Sequence, residues 1–317
     1  MADAASFVVA VDKPAGPTSH DVVAWARRAF GTRAVGHAGT LDPAATGVLV
    51  LAIGEATKLV PYLTLDDKEY EATVVLGEET TTLDAEGEVV ARAPAPPGLD
   101  VTMVEAAGRA FLGLTRQRAP VVSAIKQGGV PLHERVRRGE DVEAPEREVV
   151  MHAFRALHAD RAELRLHVHV GKGFYVRSFA RDLARALGTV GHLRTLRRTR
   201  SGAFVVEQAV PGELLRRARD PAARAELEAA VLLHRRDLVA ALPHLPALVV
   251  DAALERDARH GKPVAHPGVS SLDEDAACLL VAEEPEGHRR LVAIARRAGE
   301  HARVVRGFST DQAAGAR

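Results

Sequence analysis

Hydrophobic and polar positions alternate along this chain with periods that change several times. Phe7–Val11 and Val48–Ile53 are short continuous apolar runs, and each predicts a buried strand. Between them Val22, Ala26 and Phe30 recur at helical spacing behind Thr18, an N-cap with Asp21 three residues on, and Gly31 closes the helix. Ala56–Leu63 predicts a short helix, and Tyr70–Leu76 a strand stopped by Gly77. Thr102 and Glu105 form a capping box for a helix ending near Gly113. In Ala162–Val170 the residues Leu164, Leu166, Val168 and Val170 face one side and Arg165, His167 and His169 the other, a half-exposed strand. A helix follows from about Ser178 to Leu187 with Phe179, Leu183 and Leu187 as its apolar stripe, then a strand over Ser201–Val206. Glu213–Leu242 reads as helical with an interruption at Pro221.

Two stretches break the pattern. Gln117–Pro145 has weak periodicity and many Gly, Pro and Arg residues, which predicts an extended, mobile insertion (about 117–147). Beyond Pro243 and Pro246 come Leu248–Val250, a helix over Ala252–His260 and apolar segments at Cys278–Val281, Leu291–Ile294 and Val304–Phe308. That tail has the size of a small α+β or β-barrel module.

Composition narrows the class. The chain has 317 residues, room for two domains, and no apolar run long enough to span a bilayer. The N-terminus carries Asp3 and no basic region ahead of a long apolar core, so no secretory leader is expected. Cys278 is the sole cysteine, which excludes an internal disulfide and a cysteine-based zinc knuckle and fits a cytoplasmic location.

Formal net charge is zero, yet charge is segregated. Lys172–Arg200 holds eight Lys/Arg against Asp182, and Thr115–Arg138 six against Glu134, while acids gather in Asp66–Glu88 and Asp273–Glu286. Two basic segments on a neutral protein point to a polyanion-binding face, with solvated helix faces as the plainer alternative.

Gly36–Gly47 concentrates the chemistry: one carboxylate, one imidazole, two threonine hydroxyls and three glycines. Pro43 restricts Asp42, so the acid sits on a stiffened loop. Asp42 is a candidate nucleophile, general base or metal ligand, or else a turn acid bonded to its own loop. His37 is a partner for Asp42 or a phosphate, or a solvated loop histidine. No Gly-Lys-Ser/Thr follows these glycines and no G-x-G-x-x-G order is present, which excludes a P-loop and a dinucleotide fingerprint. His167 and His169 share a strand face, but no Cys or carboxylate stands at matching spacing, so no metal site is expected. Gly171–Ser178 offers Tyr175 for stacking and Arg177 for an anion ahead of a helix, and Tyr70 is a second aromatic; the alternative is core packing for both tyrosines.

Ordered along the chain, these stretches resemble the bacterial tRNA pseudouridine synthases that modify the T-loop uridine, the TruB family. The resemblance rests on Asp12–Gly16, Gly36–Gly47, Gly54–Lys58, Lys68–Tyr70, Ser123–Lys126, Gly173–Arg177 and Leu196–Gly202. It implies an α/β (α+β) fold: a mixed, largely antiparallel catalytic sheet flanked by helices, and a small C-terminal PUA-like β-rich domain. The corresponding domains are 1–245 and 246–317. It implies Asp42 as nucleophile, Tyr70 stacked on a flipped base where a proton moves, and Arg177 paired with Asp42. Tyr175 and Leu196 would line the pocket, His37 would manage the extruded nucleotide, and Lys126 would lie in the insertion that closes on RNA. Asp84, counted with these among the substrate- and RNA-binding residues, keeps an acid of the family pattern, whereas Thr81 and His133 depart from it. The partner implied is the T-arm of tRNA, with no cofactor, no metal, no membrane and no obligate protein partner, the chain acting as a monomer. Other readings are a non-catalytic RNA-binding or tRNA-folding protein, and an Asp-nucleophile hydrolase or phosphotransferase.

Overall fold

The computed structural model describes residues 6–123 and 125–309. In chain order its strands begin with β1 (Phe7–Lys13), β2 (Val35–Ala38), β3 (Thr46–Ile53), β4 (Lys68–Leu76), β5 (Glu78–Thr80), β6 (Val89–Arg92), β7 (Gly113–Arg118), β8 (Lys126–Gln127) and β9 (Val130–Pro131). They continue with β10 (Glu146–Ala159), β11 (Glu163–Val170), β12 (Gly191–Ser201), β13 (Phe204–Val205), β14 (Val210–Pro211), β15 (Ala247–Val249), β16 (Ala277–Glu283), β17 (Arg289–Ala298) and β18 (His301–Gly307). The chain divides into two compact units. One comprises Met1–Pro43, Val48–Thr64 and Ala203–Arg317, the other Ala44–Gly47 and Leu65–Gly202.

In the first unit β1 lies beside β3 and runs parallel to β14, while β2 is antiparallel to β3. The helix Ser19–Phe30 starts at the expected capping box: Thr18 Oγ1 accepts from Asp21 N, and Asp21 accepts from Thr18 N at 2.8 Å. Strand β1 continues through Asp12 and Lys13 because the Lys13 ammonium is buried against carbonyls rather than solvated. The expected helix at Ala56–Leu63 is a 3₁₀ turn, Gly54–Leu59, followed by one α turn, Val60–Leu63. Helical structure over Glu213–Leu242 is confined to Gly212–Arg216 and Pro221–His234, the second capped by Asp220.

The tail forms a four-stranded sheet, β15-β16-β17-β18. Strand β16 is buried on both faces. Leu279 and Val281 join Val8, Ala10, Val48 and Val50 in one cluster, while Cys278, Leu280 and Ala282 join Leu248, Val250 and Val264 in another. Double burial explains why this segment reads as an unbroken apolar run rather than an alternating one. The Gly54–Lys58 stretch fastens the end of the tail. Lys58 Nζ donates to Gly307 O at 2.9 Å and lies 5.2 Å from the Phe308 ring centroid, and Ser309 N donates to Glu55.

The second unit holds an antiparallel sheet ordered β12-β4-β11-β10-β7, with Thr46 and Gly47 parallel to β12 at Arg197 and Arg198. This is the mixed, largely antiparallel sheet that the resemblance implies. The helix Val176–Ala186 buries Phe179 and Leu183 as its spacing predicts. The helix Val101–Gly108 is capped by Asp100, whose Oδ1 accepts from Met103 N at 2.9 Å, and not by Thr102. Glu105 is therefore free of a capping box and instead accepts from Ala156 N on β10. The stretch between β7 and β10 is folded rather than extended. It carries the β8–β9 hairpin, a helix at Leu132–Arg137, and a small core of Ala119, Leu132, Val142 and Ala144.

Candidate active site

Asp42 lies at half-buried depth, and both of its neighbours in the chain are clamped. Before it, Ser19 Oγ donates to Leu41 O at 3.0 Å and accepts from Leu41 N at 2.9 Å. After it, Pro43 O accepts from Lys13 Nζ at 2.9 Å and from Gly16 N at 2.9 Å. The same ammonium reaches Pro17 O at 2.7 Å and Pro14 O at 3.0 Å, so all three of its protons meet carbonyls. A buried charge is tolerable only when its donors are satisfied in this way. The Asp12–Gly16 and Gly36–Gly47 stretches thus converge on one construction that holds the backbone on either side of the carboxylate. His37 stands on β2 opposite Leu51, its ring edge-to-face with His20 at 5.4 Å.

In the second unit Tyr70 is buried on β4, in register with Val168 on β11 and Arg198 on β12. Arg198 is 1% exposed, the largest fully buried side chain among the described residues. Two residues before Tyr70, Lys68 is also buried; desolvation, with repulsion from Arg198, pulls its pKa down to about 8. Its ammonium donates to Asp66 O. Gly47 permits the approach of the chain to β12: at φ +97° a Cβ there would lie 2.1 Å from Arg198 O. No side chain can be accommodated against a backbone atom at that distance.

Arg177 enters at the start of the helix Val176–Ala186 and is nine-tenths buried. Its guanidinium donates to Thr82 O and Val122 O, each at 3.1 Å, and pairs with Asp84 Oδ2 at 3.4 Å. Asp84 in turn accepts from Thr82 Oγ1 and from Glu86 N. The intervening Leu83 sits at φ +62°, a strained conformation for a branched side chain, fixed by Leu83 N to Thr80 O and Leu193 N to Leu83 O. Asp84 is thus a partner that positions Arg177.

Tyr175 caps the same helix, and a residue that the sequence did not single out holds it. Gln117, buried on β7, accepts from Tyr175 N at 2.8 Å and donates to Tyr175 O at 3.0 Å. The Tyr175 ring packs on the small core of the insertion, with Arg147 5.6 Å from its centroid. Leu196 is half-buried on β12 opposite Ala72, and Lys126 lies on the β8–β9 hairpin. A lone Gln between Arg116 and Arg118 carries no pattern, which is why Gln117 escapes a reading by periodicity.

The basic segments are less free than their composition suggests. Within Lys172–Arg200, Arg177 and Arg198 are buried. Arg181 pairs with Asp182, Arg185 with Glu79, Arg194 with Glu163 and Arg200 with Glu69. Arg118, Arg135 and Arg138 likewise have carboxylate partners. The pairs exposed on both sides, Arg118 with Glu146 and Arg138 with Glu134, contribute roughly 0–1 kcal/mol each.

Comparison with known proteins gives a consistent answer. Residues 27–176 match the TruB family pseudouridylate synthase N-terminal domain, and residues 177–235 the tRNA pseudouridylate synthase B C-terminal domain. A tRNA pseudouridine synthase B of Thermobifida fusca is 52% identical over 213 residues, 65% of this chain and 72% of that protein. One from Synechococcus sp. is 43% identical over 283 residues, 89% of this chain and 90% of that protein. Among solved structures, a Cbf5-Nop10-Gar1 complex contains a chain with the same fold, at a TM-score of 0.69 and 24% identity, covering 96% of this chain and 85% of that one.

Proposed function

Because the chain belongs to the TruB family of pseudouridylate synthases, we propose that it is a tRNA pseudouridine synthase whose target is the T-loop uridine, position 55. The observation that carries this reading is the clamped backbone on both sides of Asp42, within a stretch that the family match spans. A nucleophile acts best when its position is fixed before the substrate arrives, since no ordering is then needed in the transition state.

The T-loop nucleotide is flipped from its stack, at a cost of a few kcal/mol, and Tyr70 offsets part of this by stacking on the base. The Asp42 carboxylate attacks C1′ of the ribose or C6 of the base. In either route the N1–C1′ bond breaks, uracil turns, C5 bonds to C1′, and the bond to Asp42 breaks, displaced by C5 at C1′ or expelled from C6, which returns the carboxylate. The C5 proton is then lost and N1 regains one, so the reaction is an isomerisation with no redox step. Arg177, positioned by Asp84, pairs with Asp42 and orients it. Tyr175 and Leu196 line the pocket, His37 holds the place of the extruded nucleotide, and Lys126 is carried by the insertion that meets RNA. Residues 1–245 form the catalytic domain and 246–317 a PUA-like RNA-binding module. The enzyme acts on the tRNA T-arm as a cytoplasmic monomer without a cofactor. No described helix is long and apolar enough to cross a membrane.

Tritium release from tRNA transcripts labelled at uridine C5 tests this, because only an isomerase frees that hydrogen. The wild-type chain releases tritium and Asp42→Asn does not, while both bind the transcript with similar affinity. Turnover by Asp42→Asn overturns the nucleophile assignment, and binding without release by the wild-type chain leaves the tRNA-folding reading.

A further inference from the structure

The outer face of the second unit's sheet carries a cluster that the reaction does not use. Asp67 stands directly before β4, His169 near the end of β11, and His152 on β10, so two neighbouring strands and the entry to the third each contribute one residue. Val170 is opposite both Lys68 and Met151, and His169 is opposite both Glu69 and Ala153. The register shift between Met151 and Ala153 leaves His152 as an extra residue in β10. Such a bulge re-aims a side chain; here the imidazole is turned toward its neighbours.

The distances are those of a ligand set. His152 Nε2 lies 3.3 Å from Asp67 Oδ2, and His169 Nε2 lies 3.6 Å from the same oxygen. One ligand atom from each of the three residues falls within 4.8 Å of the others. Tetrahedral zinc, with bonds of about 2.0–2.1 Å, sets its ligand atoms roughly 3.3–3.4 Å apart. The two Asp67–His separations already match this spacing within a few tenths of an ångström, and bringing the two imidazoles from within 4.8 Å to it needs at most about 1.4 Å, within the reach of side-chain torsions.

His169 Nε2 is buried and accepts or donates no hydrogen bond among the described residues. A buried ring nitrogen that makes no hydrogen bond is costly unless something occupies its lone pair. Glu69, which pairs with His167 and Arg200, adds negative charge behind the cluster. Gly171 lies against the cluster: a Cβ there would make ordinary contacts at 3.6 Å to His152 Nε2 and 3.7 Å to Asp67 Oδ1. Asp67 and His152 are partly exposed, which leaves a fourth position for water.

We propose that Asp67, His152 and His169 bind a zinc-type divalent cation, which staples β4, β10 and β11 together at the end of the sheet. Two imidazoles and one carboxylate favour zinc over magnesium or calcium, which take all-oxygen sites. The staple would lie on the sheet face opposite Tyr70, three residues along β4 from Asp67.

Metal-free full-length protein titrated with Zn²⁺ against a chromophoric chelator tests the proposal. One Zn²⁺ binds per chain with micromolar or tighter affinity, and Co²⁺ gives the intense visible absorption of a tetrahedral site. His152→Gln and His169→Gln each weaken binding by at least about tenfold, in the range that metal-site residues command. His158→Gln, a surface histidine paired with Asp160, leaves binding unchanged. Circular dichroism establishes that each variant is folded; should His169→Gln fail, the more exposed His152→Gln carries the test. Absence of stoichiometric Zn²⁺ binding, or equal binding by wild type and His152→Gln, overturns the proposal.

Discussion

The ammonium of Lys13 donates to the carbonyl of Pro43 at 2.9 Å, and through it the end of β1 sets the backbone next to Asp42. Lys13→Met removes the donor from three carbonyls while filling the same space. Stability is expected to fall by about 3 kcal/mol, the usual range for buried acceptors that lose a charged donor. In urea denaturation and steady-state assays of the variant, kcat falls well below the wild-type value while KM changes little, because the loop loses position rather than substrate contacts.

Gly47 is a second fixed point. Gly47→Ala places a methyl 2.1 Å from Arg198 O in a backbone conformation that alanine resists. The unfolding free energy is expected to drop by more than about 4 kcal/mol, the exceptional range for single substitutions. Thermal melting beside a Gly128→Ala control, where no atom lies within 4 Å of the added Cβ, isolates the steric part from the conformational one.

Much of this was legible from the chain alone, and the failures have physical causes. Val48–Ile53 and the apolar tail segments are strands, as short continuous apolar runs of four to eight residues bounded by turn residues suggest. Asp42 stands out because glycines and a proline surround it. Strand β12 was hidden because Arg194, Arg197, Arg198 and Arg200 interrupt its period; a buried arginine reads as surface until its neighbours are known. The Thr102 capping box failed because Asp100, two residues earlier, takes the cap. Gln117 and the trio Asp67, His152 and His169 were invisible for a simpler reason. Their partners are distant in sequence and meet only when the sheet forms.

The Gln117 clamp predicts a graded series. Gln117→Glu keeps an acceptor for Tyr175 N and loses the donor to Tyr175 O, whereas Gln117→Leu loses both. Each buried group left unsatisfied costs about 1–3 kcal/mol. Melting temperature and kcat/KM on a tRNA transcript are expected to fall in the order wild type, Glu, Leu.

Lys68 predicts a pH dependence. Burial lowers its pKa from 10.5 unfolded to about 8 folded. Below pH 8 both states hold the proton and the folded state carries the full burden of a buried charge. Between pH 8 and 10.5 only the unfolded state retains it, so this group makes stability rise with pH across that window. The total contribution is on the order of 3 kcal/mol. Urea denaturation of wild type and Lys68→Met is expected to show a stability difference that shifts in favour of wild type as pH rises from 7 to about 10.

Strand β16 has no outside. With Leu279 and Val281 committed to one cluster and Leu280 and Ala282 to another, it belongs at once to the tail and to the hydrophobic interior around Val8 and Val48. A boundary drawn at residue 245 therefore marks a change of topology and not a seam. Deleting the tail would turn an interior wall into a sticky exterior, and exchanging it between relatives would require the two surfaces to be recut together. For this chain, recombination at that boundary is closed unless the residues lining β1 and β3 travel with the tail.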